Sequence, residues 1–281
     1  MPLVPTAAII AAAEQAGTGA AAFNVVHLET AEALVAAAER TGAPLILQHS
    51  ENSIRYHGGL LPIVRATLAL AEASPAELAV HLDHITDPAL IREGVAAGVS
   101  SVMIDASALP YDQNVAATAE SAAWCHEREI FVEAELGEVG GKDGAHAPGA
   151  RTDPEEALAF VQATGVDALA VAVGSSHAMV ERTTVLDKDL IAALRAKLPV
   201  PLVLHGSSGV PDEEIRRAIA AGMTKINIST RLVSVFTAAV RDVLGADPGL
   251  VDSRRYLGPA REAAAEEAAR LLRVVTGPCR D

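Results

Sequence analysis

The stretch LAVHLDHITDPALIREGVAAGVSSVMID, residues 78–105, decides the fold. It opens with an apolar β-type run, Leu78–Asp83, that ends in polar residues. Asp87-Pro88 then signals a helix start, where an acid complements the positive end of the helix dipole. The helix expected over Pro88–Ala97 stops at Gly98, because a left-handed cap costs glycine little. A second apolar run, Ser101–Asp105, follows at once. Strand, helix and strand in so short a span make one β/α unit.

The unit recurs along the chain. Further β-type runs are Ala21–Val25, Pro44–Gln48, Ile130–Glu135, Ala168–Val173, Pro201–His205 and Lys225–Ile228. Helical stretches lie between them: Glu29–Thr41, Leu61–Ala73, Val115–Arg128, Pro154–Gly165, Asp187–Leu198 and Pro211–Gly222. Eight strands alternating with helices predict an α/β protein of the (β/α)8 TIM-barrel type, with a doubly wound sheet as the structural rival. No boundary linker or charge block interrupts the alternation, so residues 1–281 are expected to form a single barrel domain. The longest loop-like stretch, Gly137–Arg151, is glycine-rich and polar, and is long enough to predict a functional flap.

Composition narrows the function. With 281 residues, half of them hydrophobic, the chain can bury a core without disulfides. A formal charge of −14 argues against sequence-independent nucleic-acid binding, which needs a basic face, although a local pocket for a small anion remains compatible with it. Cys125 and Cys279 are too few and too far apart for a disulfide framework or a thiolate zinc site. The N-terminus lacks the basic flank of a secretory signal, and no apolar run is long enough to span a membrane. A cytoplasmic protein with neither nucleic acid nor membrane as partner is the expectation.

Nearly every β-type run ends in a polar residue: Asn24, then Gln48-His49-Ser50, Asp83-His84, Asp105, Glu133 and Glu135, Ser175-Ser176-His177, His205 and Asn227. In a barrel these ends converge on one mouth, where catalytic groups sit. Three histidines at strand ends (His84, His177, His205) with an open fourth position would suit a catalytic zinc. Asp83 and His84 are adjacent, so both can face one site only where the strand is ending. Glu133 and Glu135 share a face, and two inward carboxylates without cations would be costly to bury, which argues for a bound metal or a protonated acid. After strands seven and eight, His205-Gly206-Ser207-Ser208-Gly209 and Asn227-Ile228-Ser229-Thr230 have the small residues that let backbone N–H groups approach a phosphate.

As an ordered set, Phe23-Asn24-Val25, Leu82-Asp83-His84, Ser101–Asp105, Val132–Gly137, Ser176-His177, Leu204-His205-Gly206, Lys225–Ile228 and Tyr256–Glu262 resemble the class II ketose-bisphosphate aldolases over essentially the whole chain. The resemblance implies a zinc-dependent TIM-barrel lyase of carbohydrate metabolism. It would cleave fructose-1,6-bisphosphate, or alternatively tagatose-bisphosphate or 6-phospho-5-dehydro-2-deoxygluconate, to dihydroxyacetone phosphate and an aldehyde through a metal-stabilised enediolate.

By the same resemblance His84, His177 and His205 hold the zinc. Asp105 and Glu135 match positions for a withdrawn metal or a second divalent or monovalent cation. Asp83 handles the C4 hydroxyl proton. Gly206, Ser207 and Ser208, with Asn227, Ile228, Ser229 and Thr230, cradle one phosphate, and Asn24, Ser50 and Ala178 lie near the substrate. Arg254 or Arg255 resembles an arginine that reaches the distal phosphate, often from a neighbouring subunit, which implies a homodimer or homotetramer.

Four features depart from the family pattern. Asp143, one methylene shorter, stands where the loop proton donor is normally glutamate, with Glu138 as an alternative donor. Ala178 replaces a glycine, and Glu181 stands where a cation is usual near the phosphate. Ser229 occupies a position often taken by aspartate. Arg231 and Val233 stand where an acid and an arginine are usual. An acid beside a phosphate repels it by about 1 kcal/mol at 4 Å in water; Arg231 would restore the lost charge if it faced the anion. Two other readings remain open, a metal-dependent hydrolase on the same barrel and a non-catalytic sugar-phosphate-binding protein.

Overall fold

The structure, a computed structural model, describes residues 3–136, 151–176 and 181–277. Eight strands form a closed parallel barrel in sequence order: β1 (Ala20–Asn24), β2 (Leu45–Ser50), β3 (Leu78–Ile85), β4 (Ser101–Ile104), β5 (Phe131–Glu135), β6 (Ala168–Ala170), β7 (Leu202–Leu204) and β8 (Met223–Ile228). The β8–β1 ladder, with Ala22 opposite Asn227, closes the ring. All eight strands lie where the sequence places them, and the closure excludes the doubly wound sheet. Strand β6 is shorter than the expected Ala168–Val173. Beyond Ala170, the Ala172 N–H donates to Thr152 Oγ1 and its carbonyl accepts from Thr152 N–H, so this segment pairs with the stretch that leads into the preceding helix.

The helices are α1 (Thr6–Ala16), α2 (Leu28–Thr41), α3 (Glu51–Tyr56), α4 (Leu60–Ala73), α5 (Pro88–Ala97), α6 (Tyr111–His126), α7 (Pro154–Thr164), α8 (Lys188–Lys197), α9 (Asp212–Ala221), α10 (Thr230–Ala246) and α11 (Arg254–Thr276). The start signals act as caps: the Asp87 carboxylate accepts from Ala89 N–H, and Asp153 from Glu155 and Glu156 N–H. Helix α6 begins four residues before its expected start, immediately after Pro110, which is extended and admits helix only beyond itself. The sequence reading assigned no helix to the segments of α1, α3, α10 and α11. Helix α11 packs on α2 and α10 through small residues, with Ala33, Ala260, Ala264 and Ala265 buried around Phe236. None of the helices among the described residues is long and apolar enough to cross a membrane.

The barrel interior is graded from apolar to polar. Alternation along β1 sends Ala21 and Phe23 outward to the helices, and Ala20, Ala22 and Asn24 inward. At the N-terminal end, Ile9, Ile10 and Ala13 of α1 plug the barrel against Ala20, Ala22, Ile46 and Ala79. Above that plug, Thr6 Oγ1 lies 2.6 Å from Ser101 Oγ, which lies 2.8 Å from His81 Nδ1. Higher still, the inward positions of β1, β2, β3, β5 and β8 are polar, while Ala170 of β6 and Val203 of β7 keep one side of the interior apolar. The fold therefore closes its floor with apolar residues and gathers polar ones toward the C-terminal mouth.

Candidate active site

Asp83 is buried, and both carboxylate oxygens are engaged. Asn24 Nδ2 donates to Oδ2 at 3.1 Å and Asn227 Nδ2 to Oδ1 at 3.4 Å; Gln48 Nε2 in turn donates to Asn24 Oδ1 at 2.8 Å. Burial pushes the Asp83 carboxyl up, but His84, His205, Lys225 and His81 outweigh it and hold the group below its ordinary value. It is therefore an ionised acceptor near neutral pH. Asn227 Oδ1 and Gln48 Oε1 are buried without a protein donor, an arrangement that suits hydroxyl groups of a ligand or ordered water.

His84 follows directly, yet β3 does not end there. The strand runs to Ile85, its register with β4 shifts between Leu82 and Ile85, and His84 takes φ +52°. A bulge with a left-handed residue, rather than a strand end, turns both Asp83 and His84 toward the mouth. This corrects the sequence argument while keeping its result. The His84 and His205 ring centroids are 4.7 Å apart, and one ligand atom each from Asp83, His84 and His205 lie within 4.8 Å of one another. Two imidazoles and a carboxylate at that spacing can hold a metal ion.

Acids surround the imidazoles. His84 Nδ1 lies 2.7 Å from Asp105 Oδ2 and 4.0 Å from Glu135 Oε2. His205 Nδ1 lies 3.1 Å from Glu135 Oε2, and its Nε2 lies 3.0 Å from Glu133 Oε1. Burial pushes the His205 imidazole down, but hydrogen bonds to Glu133 and Glu135 overcome it and raise the group to about 10. Without a metal, His205 is thus an imidazolium between two carboxylates, a place built for positive charge. Asp105 and Glu135 stand beside the two imidazoles.

Lys225 was missed by the sequence reading. It is fully buried, and its Nζ lies 2.7 Å from Glu133 Oε2. The cost of burying Glu133 is therefore met by Lys225 and His205, and this glutamate is no argument for a metal or a protonated acid. A lysine two residues before Asn227 on an inward-facing period was the available signal. Glu51 was also missed. Its buried carboxylate accepts from Thr86 N–H at 2.6 Å, from Thr86 Oγ1 at 2.9 Å and from Asp87 N–H at 3.3 Å, and pairs with Arg55, so it clamps the loop that follows His84.

The two anion loops meet through Ser208, whose Oγ accepts from Ser229 N–H at 3.3 Å and Arg231 N–H at 3.2 Å. Ser207 Oγ donates to Leu204 O. Gly206 has φ +69°, and a Cβ there would meet the Ser176 carbonyl carbon and oxygen at 2.6 Å, so glycine lets the β7 and β6 loops touch. Ser229 precedes α10, and Thr230 begins it. The Ile228 side chain packs in the outer apolar layer, so only its main chain can serve a ligand. Ser50 Oγ accepts from Ser53 N–H as the cap of α3.

Arg231 Nε donates to Glu267 on α11 at 2.7 Å, and Glu181 is exposed. Arg254 is exposed and forks onto Asp252. Asp143, Glu138, His177 and Ala178 lie outside the described residues.

A closed parallel β/α barrel whose mouth gathers two imidazoles, four carboxylates and an anion loop defines a β/α-barrel enzyme with a metal-capable polar site. The chain belongs to the family described as fructose-bisphosphate aldolase class-II, whose model matches residues 4–277, and it is accordingly a carbon–carbon lyase. The fructose-bisphosphate aldolase of Staphylococcus aureus (strain Mu50 / ATCC 700699) is 39% identical over 270 residues, covering 95% of this chain and 94% of that one. The crystal structure of the YdjI aldolase from Escherichia coli K12 superposes with a TM-score of 0.85 at 28% identity, covering 97% of each chain. The fructose-bisphosphate aldolase (Fba) of Campylobacter jejuni, at 19% identity and a TM-score of 0.79 over 99% of this chain and 97% of that one, shares the fold.

Proposed function

We propose that the protein is a zinc-dependent class II aldolase that reversibly cleaves a phosphorylated ketose, foremost fructose-1,6-bisphosphate, to dihydroxyacetone phosphate and an aldehyde in cytoplasmic carbohydrate metabolism. The observation that carries this reading is the Asp83–His84–His205 cluster, with Asp83 ionised and pinned by Asn24 and Asn227. The donor set fits a dication: imidazoles and carboxylates converge, and His205 already sits where positive charge is favoured. His84 and His205 would hold the ion, with His177 as the third ligand on sequence grounds. When bound, the ion would supply Lewis-acid polarisation of the ketone, stabilising negative charge that develops beside it.

The chain's own groups perform the proton work. Asp83 takes the C4 hydroxyl proton as the C3–C4 bond breaks. The bonding electrons pass to C3 and the adjoining ketone, and the aldehyde leaves. Asn24 and Asn227 fix the orientation of Asp83, and Asn227 Oδ1 has acceptor capacity for a substrate hydroxyl. Asp143 is the candidate donor of the proton that C3 then needs, with Glu138 as the alternative. The Gly206–Ser208 turn and the residues from Asn227 through Thr230 would grip the phosphate. Arg254, exposed and paired locally with Asp252, fits a role at a neighbouring subunit's mouth in a homodimer or homotetramer.

The test is exchange of the C1 protons of dihydroxyacetone phosphate in deuterated water. This half-reaction needs no aldehyde, so it probes metal, base and phosphate grip together. Exchange that a chelator abolishes and zinc restores is the expected result. A zinc-loaded protein that catalyses no exchange would overturn the assignment of dihydroxyacetone phosphate as product.

A further inference from the structure

Lys225 is the anomaly that the reaction leaves unexplained. It is a fully buried lysine inside a barrel, and burying an ion pair commonly stabilises a fold less than packed apolar groups would. Its ammonium sits on Glu133 Oε2 at 2.7 Å, and the other oxygen of the same carboxylate sits on His205 Nε2 at 3.0 Å. The three groups come from three strands or their ends. Glu133 is in β5, Lys225 lies opposite Val203 in the β7–β8 ladder, and His205 follows β7 directly.

We propose that Glu133, held by Lys225, is the positioning residue that fixes His205 as the Nε2–H tautomer, with its Nδ1 edge presented to the metal. The inference rests on the reading of His205 as a metal ligand. A carboxylate with an ammonium on one oxygen is an acceptor at the other, so the imidazole nitrogen facing it must be the donor. That nitrogen is Nε2. The opposite nitrogen, Nδ1, faces Glu135 Oε2 at 3.1 Å, and this same oxygen is 4.0 Å from His84 Nδ1, so Nδ1 is the edge on the side of the other candidate ligands. A metal-binding imidazole is commonly oriented in this way, through a hydrogen bond from its second nitrogen. The lysine is the unusual element: it keeps the orienting carboxylate from turning toward the mouth, where Glu135 and Asp105 already stand.

The tautomer is read directly in the wild-type protein. With histidine labelled in both ring nitrogens and zinc bound, long-range proton–nitrogen correlations should show His205 protonated at Nε2 and bearing zinc at Nδ1. A proton on Nδ1 with zinc on Nε2 would overturn the proposal, and needs no variant to see. The pair is then removed together, as Glu133→Leu with Lys225→Met, so that no lone charge is buried. Zinc affinity, measured by competition with a chromogenic chelator, should fall 10- to 100-fold while the metal-free protein melts close to wild type. Replacing the pair with Glu133→Gln and Lys225→Met, which leaves an acceptor for Nε2–H, should recover most of that loss. A double variant that folds and binds zinc within threefold of wild type overturns the proposal alone. A wild-type protein that takes up no zinc overturns the metal reading first, and the proposal with it.

Discussion

Replacing Gly206 by alanine separates two effects that glycine combines at this turn. The backbone cost comes first: at φ +69° a Cβ costs about 1–2 kcal/mol. Gly42, the cap of α2, has nearly the same φ, +67°, but a Cβ there meets nothing within 4 Å. Gly42→Ala is therefore the internal control for that cost, and both variants should melt about 2–8 °C lower than wild type. The second effect belongs to Gly206 alone. Its added Cβ would lie 2.6 Å from the Ser176 carbonyl, whereas ordinary contact begins at 3.4 Å, so the β6 loop must retreat by the difference, about 0.8 Å. Ser176 immediately precedes His177, the expected third metal ligand. A misplacement near 1 Å costs roughly 100-fold in rate. We therefore expect kcat/KM for ketose-bisphosphate cleavage to fall about 30- to 100-fold in Gly206→Ala and less than twofold in Gly42→Ala. A Gly206→Ala enzyme within threefold of wild type would refute the claim that this contact places the β6 loop.

Three further outcomes follow from the same geometry. Asp83→Asn should lower kcat about 100- to 10,000-fold, as loss of a general base does, while zinc affinity by chelator competition changes little; a matching loss of affinity would make Asp83 a ligand instead. Glu51→Ala should destabilise the fold by about 1–2 kcal/mol in urea unfolding, because Thr86 and Asp87 lose their hydrogen bonds to a charged acceptor; an unchanged midpoint would show that the clamp is dispensable. Burial, with His57 adding to it, holds the His49 imidazole at about 3 against an ordinary 6.5, so folding favours its neutral form. Stability is then full above pH 6.5 and is lost as pH falls from there toward 3. Between pH 7.5 and 5.5 the loss from this group is about 1.4 kcal/mol. His49→Leu should remove that part of the pH dependence, and an identical drop in both proteins would show that His49 is not its source.

The barrel was legible because each strand is a short apolar run closed by a polar residue, a pattern that a buried parallel strand must have when its end faces a site. Pro88 after Asp87 and Gly98 after Ala97 fixed one helix to the residue for the same reason: caps are local chemistry. What escaped was long-range. No local signal at His84 announces a left-handed bulge, since the strand continues on both sides of it. Lys225 looked like an ordinary strand lysine until Glu133, 92 positions earlier in the chain, was placed beside it. Ser50 read as a substrate group and is engaged as a helix cap, because serine serves either role equally well. Arg231 read as replacement charge for the phosphate, whereas its Nε is bound to Glu267, a partner on a helix that the sequence reading had not assigned.

The placement of charge around the mouth suits the dication and the phosphate of the proposed reaction. Asp83, Asp105, Glu133 and Glu135 concentrate negative charge at the ends of β3, β4 and β5, against one buried lysine. The helices that start at this face differ in their first turns. Helix α7 begins with Glu155 and Glu156, and α9 with Asp212, Glu213 and Glu214, so their positive ends are already neutralised. Helix α10 carries no acid in its first turn, and the N–H groups of Ser229 and Arg231 gather on the Ser208 hydroxyl beside it. Its dipole is thus available to an anion. Arg231 contributes there by holding Glu267 to itself and to Arg270, which keeps that carboxylate on the α11 side. An acid introduced into the first turn of α10, as Thr230→Asp, should raise KM for dihydroxyacetone phosphate at least tenfold while leaving zinc affinity unchanged. Equal KM values would show that the phosphate is held elsewhere on the mouth.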